Sequence, residues 1–207
     1  MSARPCRLGH VGSDHVGSDH AVGSLEYRVL GTAGGGPYAT EHMFVLGIDP
    51  GLSTLGYGIL ESRGHELRAV AAGVIRTDAG LPVGDRLAEL YHDLDDLIAE
   101  RRPDTAAIEQ VFVNRNLQTA TSVGRASGVA LLALAQHGVP VAEYTPSAVK
   151  RALTGYGSAD KTQMKKVIAM RLGLNSLPTP ADAADALAVA LCHLQESPIR
   201  RLVGGQS

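Results

Sequence analysis

The chain has 207 residues, 44% hydrophobic and 19% charged, with a mean hydropathy of +0.03 and a formal net charge of −2. That suits one soluble domain with a full core and leaves little room for a second. Cys6 and Cys192 offer neither a disulfide framework nor a thiolate metal site, so a reducing cytoplasm is expected. The apolar run from Val129 to Ala135 falls far short of the roughly 20 residues of a membrane helix, and the N-terminus lacks the order of a signal peptide.

Residues 1–42 are rich in Gly, Ser and His and repeat HVGSD at His10 and again at His15. Such a segment has little to bury, and a disordered low-complexity extension is expected, dispensable and consistent with a start codon set too far upstream of Met43. At Met43 the texture changes. Phe44 to Ile48, Tyr57 to Glu61 and Glu66 to Ile75 read as three strands of a meander, separated by Gly-containing breaks. Pro82 opens a helix with Leu87, Leu90, Leu94, Leu97 and Ile98 on one stripe. A buried-type strand, Thr105 to Glu109, a polar loop and a small-residue helix to about Gln136 follow. Next come a strand at Pro140 to Tyr144 and helices at Ser147 to Leu153, Asp160 to Leu172 and Ala181 to about Gln195. The order implies an α/β domain over 43–196, a mixed five-stranded sheet flanked by helices, then a short flexible tail over 197–207.

Charge is not spread evenly along the chain. Residues 43–110 hold six Lys and Arg against twelve Asp and Glu, a net of −6. Residues 111–180 reverse this with eight against two, a net of +6. The basic half is either helix-surface decoration or the footprint of a polyanion.

Four acids stand out. Asp49 ends the first strand beside Pro50 and Gly51, where it can cap its own turn or face a ligand. Glu109 ends an apolar strand, and a charge delivered there needs a partner. Asp182 and Asp185, in ADAADALAVAL, share one helix face with Ala186 and Val189, away from Leu187, Leu191 and Leu194. Near a helix N-terminus they can simply complement the helix dipole. If all four converge, a cation must sit among them, and an all-oxygen donor set selects Mg²⁺ or Mn²⁺. Two such ions, about 3.5 to 4 Å apart, can activate water and stabilise the leaving oxygen of a phosphodiester.

In order, VLGIDPGLSTLGYGIL, AAIEQVF, GYGSADKTQ and ADAADALAVAL resemble the RuvC Holliday-junction resolvases over Met43 to about Leu194. The resemblance implies a ribonuclease H-like fold, a homodimer, and Mg²⁺-dependent paired nicking of four-way DNA junctions that leaves 5′-phosphate and 3′-hydroxyl ends. It also implies cooperation with the RuvA and RuvB branch-migration proteins. Asp49, Glu109, Asp182 and Asp185 then become the metal-binding catalytic acids. Phe112, otherwise a core aromatic, would stack on a base near the cut, and Arg115 would touch phosphate. Lys150 and Lys161 would lie along the backbone, steadying charge on the scissile group. Lys165, Lys166 and Arg171 would extend that basic surface.

One departure is visible. Relatives often carry Arg in the turn after DPG, where this chain has Leu52, Ser53 and Thr54. A P-loop reading of GYGSADK fails because Asp160 precedes Lys161 where that motif needs Gly. Sugar and acetate kinases share the superfamily fold and a DPG-like turn, but they need two related domains, and only about 165 residues remain from Met43. A non-catalytic junction-binding module would need the basic half without the four acids. Cys192 and His193 read as packing or surface residues.

Overall fold

The computed structural model describes residues 42–110 and 117–196. The five expected strands pair as one mixed sheet in the order β3-β2-β1-β4-β5. They are β1 (His42–Asp49), β2 (Thr54–Arg63), β3 (Glu66–Arg76), β4 (Thr105–Glu109) and β5 (Val141–Tyr144). The first three form the antiparallel meander, and β4 and β5 add in parallel. Both β4 and β5 arrive through helical crossovers, as parallel pairing requires.

Alternation along the strands divides the core in two. Leu46, Ile48, Tyr57, Ile59, Ala106 and Ile108 point to one face. There they meet α1 (Val83–Arg101) and α2 (Leu117–Gln136). Leu90, Leu94 and Ile98 of α1 are fully buried, whereas Leu87 and Leu97 lie at the margin of that core. Each fully buried aliphatic side chain contributes about 1.5–3 kcal/mol of hydrophobic stabilisation. On the opposite face Val45, Leu60, Ala72 and Ala107 pack with α5 (Ala181–Glu196). Also on that side are α3 (Pro146–Thr154) and α4 (Lys161–Arg171). Every residue of α5 from Ala186 to Leu194 is buried.

That enclosure depends on glycine. A Cβ on Gly47 would stand 2.1 Å from the Ala186 carbonyl oxygen, and one on Gly56 would stand 2.0 Å from that of Asp182. At Gly58 it would meet the Leu187 side chain at 2.8 Å. The helix therefore lies directly on the sheet backbone. The helix residues that touch these glycines are Asp182, Ala183, Ala186, Leu187 and Ala190, so Leu187 faces the sheet as Ala186 does.

Candidate active site

Strand register decides where the acids stand. Asp49 has the parity of Val45 and Gly47 and so points to the α5 face; Glu109 has that of Ala107, on the same face. Ile48 pairs with Ile108 in the parallel β1–β4 ladder, so the two acids follow side by side at adjacent strand ends. Across the other edge Asp49 pairs with Gly56, whose α-carbon lies under the Asp182 carbonyl. Asp185, three residues on, shares the face of Asp182. Three elements thus deliver four carboxylates to one end of the sheet.

Their electrostatics express that convergence. Burial, then Glu109, Asp185 and Asp182, push the Asp49 carboxyl up to about 7, against a smaller opposing pull from Lys161. Burial and then Asp185 raise Glu109, while Lys150 and Lys161 draw it back. Lys161 Nζ donates to Asp185 Oδ2 at 3.4 Å. Among the described residues no three His, Cys, Asp or Glu side chains close around one point as a finished metal cage. The acids form an open cluster of shared charge. Its all-carboxylate donor set and its excess of negative over positive charge fit a hard divalent cation.

The two lysines are placed by local caps. Thr145 accepts from Ala148 N at 3.1 Å, with Pro146 in the first turn, and this starts α3, which carries Lys150. Asp160 and Gln163 form a reciprocal capping box that starts α4 at Lys161. Asp160 is therefore a helix cap, in keeping with the rejected P-loop. Phe112 and Arg115 lie outside the described residues, as do 1–41 and 197–207.

Sequence reasoning missed two supports. One is the glycine seat of α5. The other is Arg86, which reaches the Leu52–Thr54 turn from α1: Nη2 donates to Ser53 Oγ at 2.7 Å, and Nε donates to Thr77 Oγ1 at 3.0 Å. Thr77 in turn donates to Leu52 O at 2.6 Å. The signal was an Arg at i−4 from Leu90, on the buried stripe. Cys192 and His193 are both buried. Burial, and then Glu196, push the Cys192 thiol up to about 12, which removes it as a nucleophile. His193 is held by Thr105 Oγ1 at 3.0 Å and Tyr144 OH at 2.9 Å.

None of the helices among the described residues is long and apolar enough to cross a membrane. The family model described as crossover junction endodeoxyribonuclease RuvC matches residues 45–193. A RuvC of Chloroflexus aggregans is 51% identical over 162 residues, covering 78% of this chain and 99% of the relative. That of Desulfitobacterium hafniense is 48% identical over 163 residues, covering 79% and 99%. The T. thermophilus RuvC solved with a Holliday junction substrate superposes with a TM-score of 0.72 at 36% identity, covering 76% of this chain and 96% of that one. The five-stranded mixed sheet is the ribonuclease H-like fold of these proteins. With half the residues shared along nearly the whole length of its relatives, the chain belongs to the RuvC family of crossover junction endodeoxyribonucleases.

Proposed function

We propose that this chain resolves four-way DNA junctions by paired, Mg²⁺-dependent nicks, and that Asp49, Glu109, Asp182 and Asp185 hold the metal. The reading is supported above all by four carboxylates from three elements sharing one sheet end, with the Asp49 carboxyl pushed up to about 7 by burial and then by its acidic neighbours. A junction substrate is also what the T. thermophilus relative was solved with.

Two Mg²⁺ ions, replaceable by Mn²⁺, would supply Lewis-acid polarisation of the scissile phosphate and acidify the attacking water. The chain's own residues do the rest. The four carboxylates fix the position of the reacting group against a rigid sheet and a buried helix. Lys161, mostly exposed beside Asp185, offsets charge that grows on the phosphate, and Lys150 does so from the side of Glu109. The cut leaves a 5′-phosphate and a 3′-hydroxyl. Because a four-way junction has approximate two-fold symmetry, a homodimer presents two such sites to strands of like polarity. Phe112 and Arg115 contact the opened junction. Work alongside RuvA and RuvB in the cytoplasm belongs to the same reading.

The test is a synthetic four-way junction incubated with the wild type and with Asp49→Asn, in Mg²⁺ or in chelator. Both proteins are expected to bind, and only the wild type with Mg²⁺ is expected to cut. Equal cutting by the variant, or cutting in chelator, refutes the assignment.

A further inference from the structure

The described residues include a second place where charge stands uncompensated, and there the sign is positive. Arg86, in the first turn of α1, is only 9% exposed. Its two hydrogen-bond acceptors, Thr77 Oγ1 and Ser53 Oγ, are neutral hydroxyls. None of the ion pairs among the described residues includes it. A guanidinium does not neutralise itself by losing a proton, so burying it against neutral hydroxyls leaves its charge without a carboxylate partner.

Arg86 lines a cleft of about 820 Å³ between the β1–β2 turn and the starts of α1 and α2. Arg125 lines the same cleft, with Gly51, Ser53 and Ser122, and among the described residues no Asp or Glu stands in its walls. Arg125 is exposed, so its charge is available to a ligand. The start of α2 borders the cleft at Leu117, so the positive end of that helix dipole adds to the two guanidinium groups. Hydroxyl donors and paired arginines without an acid are the chemistry that recognises phosphate.

The position ties the cleft to the acidic site. The turn that leaves Asp49 runs through Gly51 to Ser53, both in the cleft wall. Four residues of chain reach at most about 14 Å, so an anion held there lies within a few nucleotides of the acidic cluster. The acids sit on the α5 face of the sheet end and the cleft on the α1–α2 face.

We propose that this cleft is a second nucleic-acid contact of the chain, in which Arg86 and Arg125 hold one backbone phosphate of the junction near the cut. The site rests on the junction-cleaving function proposed above and deepens it. Arg86 then has two tasks. Its Nε and Nη2 brace the turn that leaves Asp49, and its charge is neutralised by the DNA strand, so the turn is fully supported only when substrate is in place.

The experiment uses full-length protein and a labelled four-way junction in chelator, with affinity measured from about 50 to 200 mM salt. Arg86→Gln and Arg125→Gln are each expected to lower the slope of log affinity against log salt by about one. Single neutral methylphosphonate linkages walked along the cut strand should reveal a position that weakens the wild type severalfold and weakens each variant less. Slopes equal to wild type, or methylphosphonate effects undiminished in the variants, would reduce Arg86 to a structural brace and overturn the proposal. If Arg86→Gln does not fold, Arg125→Gln decides alone, since its side chain is exposed. Wild type that cuts the junction while both slopes stay unchanged refutes the cleft only; wild type that neither binds nor cuts removes the proposed function, and the cleft's role with it.

Discussion

The α-carbon of Gly56 lies under the carbonyl of Asp182, so close that a methyl group there would stand 2.0 Å from the oxygen. Gly56 is also the ladder partner of Asp49. A single glycine thus sets the spacing between a carboxylate on the first strand and one on the last helix. A residue with a side chain at this position would lift α5 from the sheet and carry Asp182 and Asp185 with it.

Gly56→Ala is therefore expected to cost about 3 kcal/mol or more, at the upper end of overpacking, because the obstructing atom belongs to a backbone. Urea unfolding measures the stability loss. Junction cleavage should fall further than junction binding, since the proposed DNA contacts, Phe112, Arg115, Lys150 and Lys161, lie outside α5. A stable, fully active Gly56→Ala protein would mean that α5 is not seated on these glycines.

The acids should make the metal-free protein less stable as they ionise. Asp49 carries its proton to about 7 in the folded chain, against about 3.8 ordinarily. Between those values the folded state binds more protons than the unfolded state, so stability falls as pH rises from about 4 to about 7. Asp49→Asn removes this contribution and should stabilise the chelated protein on the order of 2 kcal/mol above pH 7. Glu109, raised for similar reasons, leaves a residual slope of the same sign. Unfolding curves in chelator from pH 5 to pH 8 check both statements, and a variant no more stable than wild type at pH 8 contradicts them.

Much of this was legible in the sequence. Every strand and helix was visible, because apolar runs of strand length and 3-and-4 spacing were separated by Gly and Pro; Thr105 to Glu109 matches β4 residue for residue. The acids could be named because charges at the ends of apolar segments have no local partner. Less visible was how α5 meets the sheet. In one dimension Gly47 and Gly58 read as ordinary strand members and Gly56 as part of a break, and only the β1–β2 register shows them as a seat for a helix. Arg86 was hidden for a related reason. A charged residue just ahead of a leucine stripe looks like surface, and its burial depends on Ser53 and Thr77, which come from other elements.

His193 should impose the opposite pH trend at the acid end. Burial holds its imidazole below the ordinary value of 6.5, where it bridges Thr105 and Tyr144. The unfolded chain then binds the extra proton first, so stability is lost as pH drops below about 6.5. His193→Gln should flatten that limb while costing about 1–2 kcal/mol at pH 7.5 through lost hydrogen bonding. Denaturant midpoints for both proteins from pH 5 to pH 7.5 report it, and an unchanged acid limb in the variant would assign the trend elsewhere.

Lys161 offers a separation of stability from chemistry. Its pairing with Asp185 is long and its side chain is 78% exposed, so Lys161→Gln should leave the unfolding midpoint nearly unchanged. Single-turnover cleavage should nonetheless slow by roughly 100-fold, the size of effect seen when a charge-stabilising donor is removed. A variant that cuts at the wild-type rate would show that Lys161 serves only as a partner of Asp185.

The central claim is that carboxylates from β1, β4 and α5 act together on a divalent cation. Mn²⁺ binding followed by electron paramagnetic resonance tests this without DNA, on wild type and on Asp49→Asn, Glu109→Gln and Asp185→Asn. Each substitution is expected to weaken Mn²⁺ binding at least tenfold, although the residues come from three separate elements. Undiminished binding in all three variants would contradict the account.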